Sequence, residues 1–303
     1  MSGEFLQLIW GCDPARQLEV AWLRRLMGWL PVHQWHARDL TAQDLQPGRP
    51  TLLVESGLLR LERSPSPGDL AALRLERSKR LALVAASGPF TLVHLSDEEG
   101  LDGDDLYPML PPGVQIWRNF PYPRFRGVTN FPIGPRSEFF HQQGLISASA
   151  RPFPWAFMGT IWGGGSRLIA TSLFLRSLPQ GFYFGGCHFG LGVPVDRYKT
   201  ILEQSVFALC PEGDRHLDTF RLYESLQMGC LPLVVDQADQ ALPLLGEDYP
   251  LPVFASWREA LGFAQHHLRQ PERLDSLQRK VVAWWHSRVQ GLSEALRVSC
   301  LGS

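Results

Sequence analysis

The stretch Phe207–Val235, FALCPEGDRHLDTFRLYESLQMGCLPLVV, reads as strand, polar loop, helix, tight turn and strand. Val206–Cys210 is an apolar run of strand length that stops at Pro211 and Gly213. The loop that follows is polar, with Asp214, Arg215, His216, Asp218 and Thr219. Asp218 or Thr219 fits the N-cap of a helix over Phe220–Met228, Gly229 its C-cap, and Leu231–Val235 a second buried strand. A strand–helix–strand unit this short pairs in parallel, and its ligand crevice lies at the carboxyl ends of the strands.

The residues at that turn carry a chemical reading. A helix N-terminus offers unpaired N–H groups and a partial positive charge to an anion. Arg221 adds a planar, permanently charged fork that matches phosphate oxygens. Glu224, three residues on and on the same face, is acceptor-only and suits the two hydroxyls of a ribose. Together they describe a nucleotide diphosphate site. The competing reading is a solvent-exposed Arg221–Glu224 helix pair worth only a few tenths of a kcal/mol.

The run Cys210-Pro211-x-Gly213, followed by Phe220-Arg221-Leu222-Tyr223-Glu224-Ser225-Leu226-Gln227-x-Gly229-Cys230-Leu231-Pro232, closely resembles the donor-binding motif of exostosin-like glycosyltransferases. The resemblance implies a GT-B fold, two Rossmann-like domains facing a cleft, a nucleotide-sugar donor (UDP-linked in that family) and inverting transfer to a glycan hydroxyl. It implies that Glu224 holds the ribose and that Thr219 and Arg221 face the diphosphate, next to Gly213. The family often has a basic residue after the Cys-Pro pair; Glu212 stands there in this chain, and Arg215 is the candidate to supply that charge instead.

The bulk properties fit an α/β enzyme of two domains. The chain has 303 residues, 45% hydrophobic and 19% charged, with a net charge of −1. That balance offers no basic surface, so no nucleic-acid partner is expected. Five cysteines, Cys12, Cys187, Cys210, Cys230 and Cys300, are odd in number and widely spaced, which fits reduced, buried thiols. No apolar run reaches the ~18–20 residues of a transmembrane helix, and no signal peptide is seen. A cytoplasmic enzyme is expected, acting on a surface glycan or a lipid-linked precursor.

Apolar runs at Phe5–Trp10, Thr51–Val54, Leu81–Ala85, Thr91–Leu95 and Val114–Trp117 read as strands, with helices at Ala15–Leu30 and Asp69–Arg80 between them. Residues 119–154 are rich in proline and glycine, which places the boundary near 146–153: an N-terminal acceptor-side domain over 1–150 and a C-terminal donor domain over 151–303. The second half continues with strands at Trp155–Ile161, Gly181–Gly185 and Leu251–Phe254, a helix at Ser166–Leu178, and a long helix over about Pro271–Val298.

A turn at Gly159–Arg167 follows one of these strands and opens a helix capped by Ser166. By resemblance to exostosin and fucosyltransferase enzymes, Arg167 would meet the donor diphosphate. On the acceptor side an inverting transfer needs a carboxylate base. The run His94-Leu95-Ser96-Asp97-Glu98 ends a strand and is similar to a segment of exostosin-like xylosyltransferase relatives, where Arg118-Asn119-Phe120 would match a following Arg-Asn-aromatic step. Asp97 is the first candidate base and Glu98 the second, with Glu55, Arg118 and Arg136 as secondary site residues. Trp117, Phe120, Tyr122 and Phe125 are candidate stacking surfaces for sugars. No metal or cofactor is expected: Asp102-Gly103-Asp104-Asp105 contains a DxD by letter but has the composition of a loop, and the helix dipole with the arginines would stabilise the leaving diphosphate. The alternatives are a nucleotide-sugar-binding protein without turnover and a GT-B nucleotide-sugar epimerase.

Overall fold

The computed structural model of the chain describes residues 5–57, 66–136, 139, 144–161, 165–186 and 192–301. Leu6–Trp10 (β1), Thr51–Ser56 (β3) and Thr91–Leu95 (β4) are buried at every position, as strands are when both sheet faces are covered. With Val32–His36 (β2), Gln115–Arg118 (β5) and Val128–Asn130 (β6) they form a parallel sheet in the order β2-β1-β3-β4-β5-β6. A second parallel sheet is built from Phe153–Thr160 (β7), Phe182–Gly186 (β8), Ser205–Leu209 (β9) and Leu231–Leu233 (β10), in the order β10-β9-β7-β8.

Helices follow their capping signals. Pro67–Ser87 (α2) starts at Ser66, whose hydroxyl accepts from the Asp69 N–H, with Pro67 at the first turn. It swallows Leu81–Ala85, which reads as a strand in isolation. No breaker separates that run from the helix before it, and Arg77, Leu81 and Val84 bury one stripe at helical spacing. The expected helix at Ala15–Leu30 is shorter: a 3-10 turn at Pro14–Arg16, capped by Asp13, precedes Val20–Leu26 (α1). The Asp102–Asp105 stretch is helical, within Leu101–Leu106 (α3), and not a loop. Leu251–Phe254 makes only an isolated bridge from Phe254 to Val235, because Pro250 and Pro252 remove two ladder donors.

The second sheet is served by Ser166–Ser177 (α4), Val195–Glu203 (α5), Phe220–Gln227 (α6), Ala241–Leu245 (α7) and Trp257–Leu268 (α8). The last helix, Pro271–Leu301 (α9), carries the chain out of one unit and into the other. Unit 1 comprises Met1–Ile133 with Val289–Ser303, and unit 2 comprises Gly134–Arg288.

That division differs from the boundary expected near 146–153. Those residues are fastened inside unit 2. The Ala148 and Ser149 N–H groups donate to Gln278 Oε1 and Asp275 Oδ1 at 2.8 Å each. The Arg151 guanidinium donates to the carbonyls of Ile146, Leu202, Ser205 and Met228. At the other end, the Ser293 hydroxyl donates to the Leu26 carbonyl, and Ser299 accepts from Trp117 Nε1 and the Thr91 hydroxyl, so the C-terminal turns belong to unit 1.

Candidate functional site

In unit 2 the chain runs from β7 to β8 on one side and returns with β9 on the other. The strand order therefore reverses between β7 and β9, and an open parallel sheet leaves its crevice at such a point, beyond the carboxyl ends. Two arginines lie there. Arg167, in the first turn of α4, donates from Nη1 to the Thr160 carbonyl that ends β7 (2.9 Å) and from Nε to the Glu212 carbonyl in the loop after β9 (3.1 Å). Arg221, in the first turn of α6, reaches back to the Met158 carbonyl of β7 at 3.4 Å and lies 4.4 Å from the Phe157 ring centroid. The Glu212 backbone carbonyl thus helps to hold Arg167.

Gly159 makes room for this arrangement, since a Cβ there would overlap Arg221 Nη2. Thr219 is the N-cap residue of α6, but its hydroxyl makes no capping bond. Among the described residues, Thr219 Oγ1 and Arg221 Nη1 are buried polar atoms without a hydrogen-bond partner. Buried polar groups are nearly always paired, so two orphans at one helix N-terminus mark a place built for something polar. Asp218, the other cap candidate, instead accepts from the Tyr223 hydroxyl at 2.6 Å.

The rest of the loop is closed by the Gly213 N–H, which donates to the His216 carbonyl at 2.6 Å, and by Gln240, which accepts from the Leu217 N–H and donates to the Arg215 carbonyl. Arg215 is exposed and lies 3.8 Å from Asp214, an ion pair on open surface. Gly229 ends the helix with φ of 63°, the left-handed C-cap its position implies. Of the glycine turn, Trp162–Gly164 lie outside the described residues; α4 is capped by Gly165, and Ser166 serves as acceptor for Trp257 Nε1.

Glu224 is 1% exposed and does not pair with Arg221 in a surface contact. Its Oε1 accepts from Arg136 Nε at 2.5 Å. Burial raises the Glu224 carboxyl above the usual range, against the opposing charge and hydrogen bond of Arg136. Cys210, beneath the same helix, is pushed up to about 12 by burial, so it is a packing thiol and not a nucleophile.

The acceptor-side candidates in unit 1 meet a different fate. Asp97 is 2% exposed, and its carboxylate accepts from the N–H groups of Asp102 (3.1 Å) and Gly103 (2.9 Å) and from Arg118 Nη2 (3.2 Å). It anchors the start of α3 and neutralises a buried arginine, which corrects its assignment as the free base. Arg118 is fully buried, with Nε on the carbonyls of Asn119 and Phe120 and its guanidinium 4.4 Å from the Phe125 ring centroid. It is a core residue and not a phosphate ligand. Tyr122 and Phe125 are likewise covered, by Arg118 and Arg124, rather than open for sugar stacking. Glu55 is bound by Arg80 at 2.6 and 2.9 Å, with Arg77 3.5 Å away. Glu98 is half-buried; its carbonyl accepts from the Tyr122 hydroxyl.

The sequence reading missed the network that joins these groups. Asp102 takes a two-pronged bond from Arg77, 2.9 Å at each prong, and a third contact to His94 Nε2 at 2.9 Å; His94 Nδ1 faces the Tyr107 hydroxyl at 3.0 Å. Burial alone would raise the Asp102 carboxyl, but the bonds from His94 and Arg77 hold it down at about 2. Ser96 and Phe120, straight after β4 and β5, take positive φ of 55° and 56°, and the Ser96 hydroxyl donates to the buried Glu19 at 2.9 Å. The signal available was the i, i+3 spacing of Arg77 and Arg80, which points both at the carboxyl end of β3, where Glu55 lies.

No protein-family model matches the chain, and no curated protein matches it in sequence. Among solved structures, the chain is similar to an alpha-glucosyltransferase in complex with UDP and a 13-mer DNA containing a central A:G mismatch, at 9% identity and a TM-score of 0.57, over 99% of this chain and 100% of that one. It is also similar to an alpha-glucosyltransferase in complex with UDP-glucose and DNA containing an abasic site, at 10% identity and a TM-score of 0.55, over the whole of both chains. The fold is that of the GT-B glycosyltransferases; none of these structures points to the exostosin family in particular. They also correct the exclusion of nucleic acid. Proteins of this fold and length are in complex with DNA, and a net charge near zero is a sum that says nothing of where the charges lie.

Proposed function

We propose that the chain is a glycosyltransferase that takes a sugar from a nucleotide diphosphate donor held at the carboxyl edge of β7 and β9 in unit 2. The observation that carries this reading is the pair of buried, unpartnered groups at the N-terminus of α6, Thr219 Oγ1 and Arg221 Nη1. A diphosphate supplies acceptors for both, and the helix dipole favours its charge. Arg167 adds a second cation at the same switch point, and Glu224 is the acceptor for ribose hydroxyls. UDP-sugars are the first donors to test, since both similar enzymes carry UDP or UDP-glucose.

In the transfer, an acceptor oxygen attacks the anomeric carbon, the bond from that carbon to the diphosphate breaks, and the diphosphate leaves with the electron pair. The leaving charge would be met by Arg167, Arg221 and the α6 N-terminus without a metal. For an inverting course the acceptor proton passes to a carboxylate, and Glu98 is the second candidate the sequence offers for that role. Glycans, lipid-linked glycans and DNA all offer hydroxyls and belong in the acceptor panel.

Thermal unfolding with UDP and UDP-sugars, on the wild type and on Glu224→Ala, tests the reading. A nucleotide at ~100 times its dissociation constant adds about 2.7 kcal/mol. Stabilisation of the wild type and not of the variant is expected; no stabilisation by any nucleotide overturns the reading. The engagement of Asp97 favours one competing reading, nucleotide-sugar binding without transfer. Release of UDP that depends on an added acceptor separates transfer from it, and turnover of donor with no acceptor would indicate an epimerase.

A further inference from the structure

The Arg136–Glu224 ion pair joins residues 88 positions apart in the chain. Glu224 comes from the helix whose N-terminus forms the donor site; Arg136 comes from the extended segment that opens unit 2. The Glu224 side chain is 2% exposed and that of Arg136 is 28% exposed, so the arginine is the more open partner of the pair. Its guanidinium is held in turn between two rings, 5.4 Å from the Phe139 centroid and 5.6 Å from that of Tyr198. The Tyr198 hydroxyl also bonds to the Glu224 carboxyl. A buried carboxylate without a cationic partner takes up a proton, and a protonated carboxyl has lost half of what a diol requires of it.

We propose that Arg136 is the positioning residue for ribose recognition: it holds and orients the Glu224 carboxylate so that it accepts the hydroxyls of the donor ribose. This rests on the donor site placed above. Arg136 acts through Glu224, so its removal weakens the recognition of the ribose and leaves that of the diphosphate in place. The specificity of the site for ribonucleotides over deoxyribonucleotides is then set by a residue outside the α6 motif.

The test is calorimetric titration of UDP and 2′-deoxy-UDP into the wild type, Arg136→Met and Arg136→Lys. The wild type is expected to prefer UDP by roughly 10-fold or more, the worth of one hydrogen bond to a charged group. In Arg136→Met the preference falls to within about threefold while 2′-deoxy-UDP binds as before. Arg136→Lys keeps the charge and an intermediate preference; it also decides the matter if the Met variant does not fold. A preference unchanged in both variants overturns the inference alone, as does an equal loss for the two nucleotides, which would place Arg136 on the diphosphate. A wild type with no preference for ribose overturns the donor-site reading, and this inference with it.

Discussion

Gly159 and Arg221 occupy one space: the strand residue has no side chain where the helix residue's Nη2 lies, and a single Cβ would overlap it. β7 and α6 are adjacent at that point only because β9 pairs with β7. Gly159→Ala is therefore expected to push the guanidinium out of the crevice. The loss of one charged hydrogen bond lowers UDP affinity roughly 10- to 100-fold. Calorimetric titration reads it, and wild-type affinity in a folded Gly159→Ala protein would contradict the placement of the diphosphate at Arg221.

Asp97 and Glu98 should separate cleanly. Asp97→Asn leaves Arg118 buried without its counter-charge, so a loss of about 3 kcal/mol or more is expected in urea unfolding. Glu98→Gln is expected to slow transfer by roughly 100-fold. A fast Glu98→Gln enzyme would remove the last sequence-derived candidate for the base.

Asp102 predicts an acid limb in the stability curve. Its carboxyl is held at about 2, below the ordinary value near 3.9. A depressed carboxylate contributes stability that is present above its unfolded-state value and is lost as pH falls through the folded value. The window is thus about pH 4 to 2, and the share is about 2–3 kcal/mol. Asp102→Asn, which also strips Arg77 and His94 of their partner, should be markedly less stable than wild type at pH 7 and approach it near pH 2. A constant gap across that range would assign the effect to packing alone.

Transfer is expected to persist in EDTA, because arginines and a helix N-terminus face the leaving group in this reading. Activity abolished by chelator and restored by manganese would show that a metal supplies that charge.

Much of the fold could be read from local signals. Thr91–Leu95 falls where its apolar run lies, and β9, α6 and the Gly229 cap follow the punctuation of the stretch around them. Where a local signal was ambiguous, context decided it: Leu81–Ala85 is as apolar as a strand, and only its continuity with the capped helix from Ser66 makes it helical.

The site divides in the same way. The composition of α6 singled out Arg221 and Glu224 as candidates because helix geometry relates residues three or four apart, and the resemblance added Thr219. Which partner each would take lay beyond that reach. Asp97 with Arg118, Glu55 with Arg80, and Arg136 with Glu224 are separated by 21, 25 and 88 residues. Burial, not spacing, brought them together: a charge removed from water must be met by an opposite one from wherever the fold supplies it. Local periodicity is written in neighbouring residues, but the pairing of buried charges exists only once the sheets have formed.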